Sequence, residues 1–323
     1  MPLRRRRFLH LTAAALATPA LPRAAFALDY PARPVRILVG YSAGGVSDIL
    51  ARLLAQKLSD RLGQPFVVED RPGAASNVAA DAVIHAPPDG YTVFLAGISN
   101  AINAAIYKAL DFSFARDVTP VGLISRSPLV MEVSASFPAK TVPEFIAYAK
   151  AHPGTLNMAS AGTGGATHVA GELFQMMTGI KMLHVPYRGS PPAIADVLAG
   201  REQVMFDNVA ASIALIRAGK LRALAVSSKT NALPGVPLIG DFLPGYDAYV
   251  WNGIVAPKNT PAEIVTKLNA AINAVVADPQ YKTALDHLGN TAASDTPEEF
   301  GKLIAADTAK WAKVVQYAGI KAE

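Results

Sequence analysis

Short apolar strand-like segments alternate with amphipathic helical ones along this chain, and that alternation restricts the fold more than any other feature. Residues 35–39 read as a strand, and residues 46–62 place Leu50, Leu53, Leu54, Leu58 and Leu62 on one helical stripe that Gly63 stops. Strand signals follow at 66–68 and 91–95, the second after the turn residues Pro87-Pro88-Asp89-Gly90. The same order returns at 128–133, 156–159, 183–185, 204–206 and 221–227, with helical segments between. Thr141-x-x-Glu144 reads as a capping box, and Ser190 as the cap of a helix to Leu198. Thr260-Pro261-Ala262-Glu263 and Thr296-Pro297-Glu298-Glu299 carry N-cap, proline and acid in the order that opens a helix. Strands and helices at this spacing imply an α/β fold with mainly parallel sheets. The order of segments suggests two lobes, one from residues 28–128 plus 250–323 and the other from 129–249.

The first 27 residues belong to neither lobe. Arg4 to Arg7 form a basic head, a short apolar stretch follows, and Ala25-Phe26-Ala27 is a small-x-small cleavage site. Arg5-Arg6-Arg7-Phe8-Leu9 is similar to a twin-arginine signal, which carries folded proteins across a membrane. The expected product is a periplasmic protein that starts near Leu28. The leader holds five of the 30 basic residues and no acid, so the rest of the chain carries 25 basic against 25 acidic residues. Without a basic run, nucleic acid loses its compositional support as a partner. The chain has no cysteine, which excludes disulfides and thiolate chemistry.

Two glycine-rich loops, Tyr41-Ser42-Ala43-Gly44-Gly45 and Ala161-Gly162-Thr163-Gly164-Gly165, each join a strand to a helix in different halves of the chain. Glycine lets backbone approach a ligand, and the N–H groups of a helix start favour a carboxylate or phosphate. Neither loop is followed by the GK[ST] of a nucleotide-binding loop. Asp48 lies in the first turn after Gly45, where an acid either complements the helix end or accepts from a ligand. The six histidines have no metal-ligand spacing, and no cofactor is expected. Tyr41, Tyr187, Phe206 and Trp251 are candidates either for an aromatic pocket or for the core.

Taken in order, the motifs resemble the Bug family of solute receptors, similar to the binding component of tripartite tricarboxylate transporters. The resemblance rests on Pro34-Val35-Arg36-Ile37-Leu38-Val39 with Ala43-Gly44-Gly45-x-Ser47-Asp48, and on Arg71-Pro72-Gly73-Ala74 and Pro88-Asp89-Gly90-Tyr91-Thr92. It continues through Ser160-Ala161-Gly162-Thr163-Gly164, Thr167-His168, His184-Val185-Pro186-Tyr187-Arg188-Gly189, Phe206-Asp207-Asn208 and Trp251-x-Gly253. The family implies a type II, Venus-flytrap periplasmic binding protein that closes on a small organic carboxylate. It implies no enzymatic activity, and membrane subunits of the transporter as possible partners of a monomer. Carried over by position, the candidate ligand residues are Tyr41, Ser42, Ala43, Gly44, Gly45, Asp48, Ser99, Asn100, Ala161, Gly162, Thr163, Gly164, Gly165, Thr167, His168 and Asp207, and the aromatic Tyr187 joins them as a pocket candidate. The loop at 96–103 departs from the family pattern, with Ala101 where a histidine is usual. The competing reading is a secreted α/β hydrolase or lyase using Asp48, His168 or Asp207 on a small carboxylated substrate.

Overall fold

The computed structural model describes residues 29–322, so the leader read at 1–27 and its cleavage site lie outside the described residues. The first half runs β1 (Val35–Val39), α1 (Val46–Leu62), β2 (Phe66–Asp70), α2 (Asn77–Ile84), β3 (Thr92–Gly97), α3 (Ile98–Ile106) and α4 (Phe114–Asp117). A long strand, β4 (Val118–Ser134), follows. Next come α5 (Val142–Ala151), β5 (Asn157–Ser160), α6 (Ala166–Thr178), β6 (Leu183–Pro186), α7 (Ser190–Leu198), β7 (Val204–Asn208), α8 (Val209–Arg217) and β8 (Leu221–Val226). The chain returns through β9 (Tyr249–Pro257), α9 (Ala262–Ala277), α10 (Pro279–His287), β10 (Thr291–Ala292) and α11 (Pro297–Ala318).

The two lobes repeat one arrangement. In the first, β1 lies between β2 and β3, parallel to both. In the second, β5 lies between β6 and β7, again parallel to both. The helices join these strands as the alternation predicts. Each glycine-rich loop leaves the carboxyl end of the central strand, where the connections diverge to opposite sides and a crevice opens.

The sheets are mixed, which corrects the expectation of mainly parallel ones. β9 runs antiparallel to β3 and β4, and β7, β8 and β10 run antiparallel to β4. The cause is β4 itself. It pairs with β9 as far as Pro128, and from Leu129 onward with β7. One strand therefore passes from one lobe to the other and must oppose its neighbours in each. The sequence signal at 128–133 marks only its second half, because Pro120 and Pro128 read locally as interruptions.

Helix starts follow the capping chemistry in part. Thr296 accepts from Glu299 N–H at 3.2 Å, while Glu299 accepts from Thr296 N–H at 2.9 Å. Thr141 accepts from Glu144 N–H, but Glu144 reaches one residue further back, to Lys140 N–H at 2.7 Å. Thr260 does not cap; its hydroxyl donates to Pro257 C=O at 2.7 Å and α9 starts at Ala262. Ser190 does not cap either, because its hydroxyl is bonded to a carboxylate in the lobe interior at 2.6 Å.

One core cluster runs through both lobes and includes Phe94, Phe145, Phe174, Phe206, Trp251, Phe300 and Trp311. A second packs Leu50, Leu54 and Leu58 of α1 and Leu268 and Ile272 of α9 over Val35 and Ile37. Phe206 and Trp251 are thus core residues, fully buried. Trp251 also ties α11 to the sheet: its Nε1–H donates to Asp307 Oδ2 at 2.7 Å, and Lys310 pairs with Asp307 Oδ1 at 2.8 Å. Asp307→Ala leaves the buried indole N–H without its acceptor, a loss of about 1–3 kcal/mol. Urea unfolding of the variant should show a lower midpoint; an unchanged midpoint would deny this anchor.

Candidate functional site

The two glycine-rich loops fold alike. Gly44 and Gly164 have φ of +80° and +72°, a left-handed conformation that glycine enters without steric cost. Gly45 and Gly165 are extended and begin α1 and α6. Gly44 N–H donates to Asp48 Oδ2 at 2.8 Å, and Gly164 N–H donates to His168 Nδ1 at 3.0 Å. In each loop the next glycine N–H turns back to the carbonyl three residues earlier, Ser42 in one and Gly162 in the other. A side chain four residues on therefore locks each loop from within. Among the described residues, the N–H groups of Ala43, Val46 and Ser47 on one side, and of Thr163, Ala166 and Thr167 on the other, have no protein acceptor. These are donors of the kind that helix starts offer to anions.

The locking groups are held in turn. Asp48 is 3% exposed and pairs with Arg52 Nε at 2.6 Å, and Arg52 also reaches Asp70 at 3.1 Å. Burial, with the Asp48 charge nearby, raises Asp70 above the usual carboxylate range. His168 stacks on His184, ring centroids 3.4 Å apart, and its Nε2 lies 3.5 Å from Glu172. Accepting from Gly164 requires Nδ1 to be unprotonated, which puts the ring proton on Nε2, toward Glu172. Burial, and His168 beside it, push His184 down to about 3, so it stays neutral while bonded to Ser160 at 2.6 Å.

A cavity of about 310 Å³ lies against the second loop. Ala161, Gly162, Thr163, Gly164 and Gly165 line one side, Tyr41 and Ser99 another. The sequence reading missed the rest of its wall: Ala75, Asn103, Ile106, Tyr107, Lys321 and Ala322. Burial pushes the Tyr41 hydroxyl above its ordinary range, partly offset by its hydrogen bond with Ser99, although 39% of the residue remains exposed. Ala75 sits in a left-handed turn, Ala74-Ala75-Ser76, with φ of 44°, 51° and 80°. Such a conformation costs a non-glycine residue about 1–2 kcal/mol and needs support. Asn103 supplies it, donating to Ala75 C=O at 2.7 Å and to Asn77 Oδ1 at 3.0 Å. Ser99 and Asn103 are four apart on α3, so helical spacing from Ser99 was the signal that could have found Asn103.

The other sequence candidates lie outside this lining. Ser42, Ala43, Gly44 and Gly45 are exposed beside it. Asp48 and His168 are bonded to their own loops, and Thr167 accepts from Ala161 N–H at 2.9 Å. Asn100 accepts from Gly97 N–H at 3.0 Å and closes the start of α3. Tyr187 directs its hydroxyl to Asp196 at 2.7 Å and Glu202 at 3.0 Å. Asp207 is fully buried, accepting from Ser190 at 2.6 Å and Asn208 N–H at 2.8 Å.

The model of the tripartite tricarboxylate transporter family receptor matches residues 50–320. The chain belongs to this family. BugT of Bordetella pertussis is 34% identical over 313 residues, covering 95% of each chain. A solved periplasmic transporter is 39% identical over 90% of this chain and 99% of its own, with a TM-score of 0.74. A protein of R. palustris solved with adipate is 36% identical, with the same coverage and TM-score. MatC from Rhodopseudomonas palustris, solved with bound malate, is 30% identical over 88% of this chain and all of its own, with a TM-score of 0.70. The chain is a periplasmic solute receptor and not an enzyme, so the hydrolase or lyase reading falls. Asp48, His168 and Asp207 belong to three separate hydrogen-bond sets.

Two outcomes follow from these sets. Asp48→Asn should weaken glutamate and its amine-free analogue glutarate alike, because the carboxylate serves Gly44 and Arg52; calorimetry that found loss of glutamate alone would place the amine at Asp48. Glu132, joined to Asp207 through Ser212, is raised from 4.5 to about 8 by burial, with the Asp207 charge adding. The folded state then keeps a proton that the unfolded chain releases, so this group's contribution to stability falls as pH rises from about 4.5 to 8. Glu132→Gln should flatten that decline in a series of urea unfolding curves, and an equal slope in both proteins would refute it.

Proposed function

We propose that the receptor captures a small organic carboxylate between its two lobes and hands it to the membrane subunits of a tripartite tricarboxylate-type transporter, acting as a monomer. The observation that carries this reading is the character of the cavity. Backbone of a helix-start loop forms one side, and among its described lining residues one cation, Lys321, faces no acid. Such a lining is suited to an anion. Backbone donors locked by Asp48 and His168 are ordered before the ligand arrives, so little entropy is lost on binding. Adipate and malate in two relatives support the same class.

The lobes proposed as the moving units are residues 28–128 with 250–323, and 129–249. Under this reading β4 carries the motion, since it changes partners between Pro128 and Leu129. Closure would bring the exposed first loop toward the second and exclude water, which strengthens each hydrogen bond to the ligand.

A thermal-shift screen of mono-, di- and tricarboxylates, amino acids, sugars and cations tests the assignment. A ligand at a hundred times its Kd should stabilise the folded protein by about 2.7 kcal/mol. One carboxylate class should raise Tm. Stabilisation by a sugar or a cation, with none by any carboxylate, would overturn the proposal.

A further inference from the structure

We infer that Lys321 receives the second carboxylate of a two-headed ligand, so that the receptor selects dicarboxylates over monocarboxylates of equal length. This rests on the carboxylate reading of the cavity and names what sets its specificity. The first head group can be met by neutral backbone donors of the second loop. A second anionic group in the same cavity needs its own partner, because an unpaired charge taken out of water is strongly disfavoured. Beyond the loop the wall is Tyr41, Ala75, Ile106 and Tyr107, with Ser99 and Asn103 as small polar breaks. None of these is charged, and Asn103 is already committed to Ala75 and Asn77. Lys321 is the cation of this lining, and among the described residues it has no ion-pair partner.

Its position is built into the end of α11. Gly319 adopts φ of +66°, and Ile320 N–H donates to Val315 C=O at 3.1 Å, so the helix closes with a sharp left-handed turn. That turn lays Ile320 against the second loop, where a Cβ added to Gly164 would sit 4.0 Å from Ile320 Cγ2. The next residue, Lys321, then borders the cavity. The anchor of α11 through Trp251 and Asp307 fixes where this tail arrives. A lysine on a four-carbon stem can meet carboxylates at different depths, which suits acids of more than one chain length.

Calorimetric titration of wild type, Lys321→Met and Lys321→Arg with succinate, glutarate and adipate, and with butanoate, pentanoate and hexanoate, tests the inference. Met keeps the length and apolar stem and removes the charge, and the residue is exposed, so an unchanged Tm checks that the fold is intact. Wild type should prefer the diacid of the matching length. Lys321→Met should lose about tenfold or more for that diacid, the effect of one charge-assisted hydrogen bond, with the monoacid unchanged. Lys321→Arg should retain most of the preference. Equal losses for diacid and monoacid, or a diacid affinity within about twofold of wild type, would overturn the role of Lys321. Wild type that binds no acid of either series would overturn this inference, while the carboxylate reading itself stands or falls on the wider thermal-shift screen.

Discussion

The site depends on one contact made twice: a left-handed glycine whose N–H is held by the side chain four residues further on. In one lobe the acceptor is a carboxylate, Asp48, and in the other an imidazole, His168. The contact fixes the loop before any ligand is present and leaves the following helix-start N–H groups unused. It also explains why two such different side chains occupy equivalent places. Each needs only one lone pair aimed at a backbone N–H, and each is held by a second partner, Arg52 for Asp48 and Glu172 for His168.

The remaining architecture sets where those two loops lie. Both leave the central strand of a three-strand parallel unit, and β4 links the units by exchanging β9 for β7 partway along its length. The strained turn at Ala74–Ser76 and the closing turn of α11 add side chains from two segments far apart in sequence. Asn103 stabilises the first through paired hydrogen bonds, and Trp251 with Asp307 anchors the helix that carries the second. The cavity wall is thus assembled from both halves of the chain, while the determinants of its shape lie mostly in the core.

Much of the fold could be read in the chain itself. The stripe Leu50, Leu54, Leu58 fixed the buried face of α1, since residues four apart lie on one side of a helix. Thr296 and Glu299 marked the start of α11 through local bonds that need no distant partner. The glycine pairs marked the two helix starts for the same reason, and the ordered set of motifs named the family. Local signals failed where another partner competed, distant for Ser190 and only three residues away for Thr260. Ser190 gave up its cap to bond with Asp207, and Thr260 turned back to Pro257. Strand direction was also beyond reach, because the opposition of β4 and β9 follows from pairing across more than a hundred residues.

The sequence alone determined the class of protein and the two helix-start loops, and left Asp48 between complementing the helix end and meeting a ligand. Tertiary structure decided which side chains line the cavity. Tyr187 looked equivalent to Tyr41 in the sequence, yet packing turned it to Asp196 and Glu202 while Tyr41 came to border the cavity. Asp207 ended buried, and Lys321, which no local pattern singles out, ended beside the second loop. The reason is physical: helix starts and glycine turns are set by bonds a few residues long, whereas a cavity wall is set by how distant elements pack.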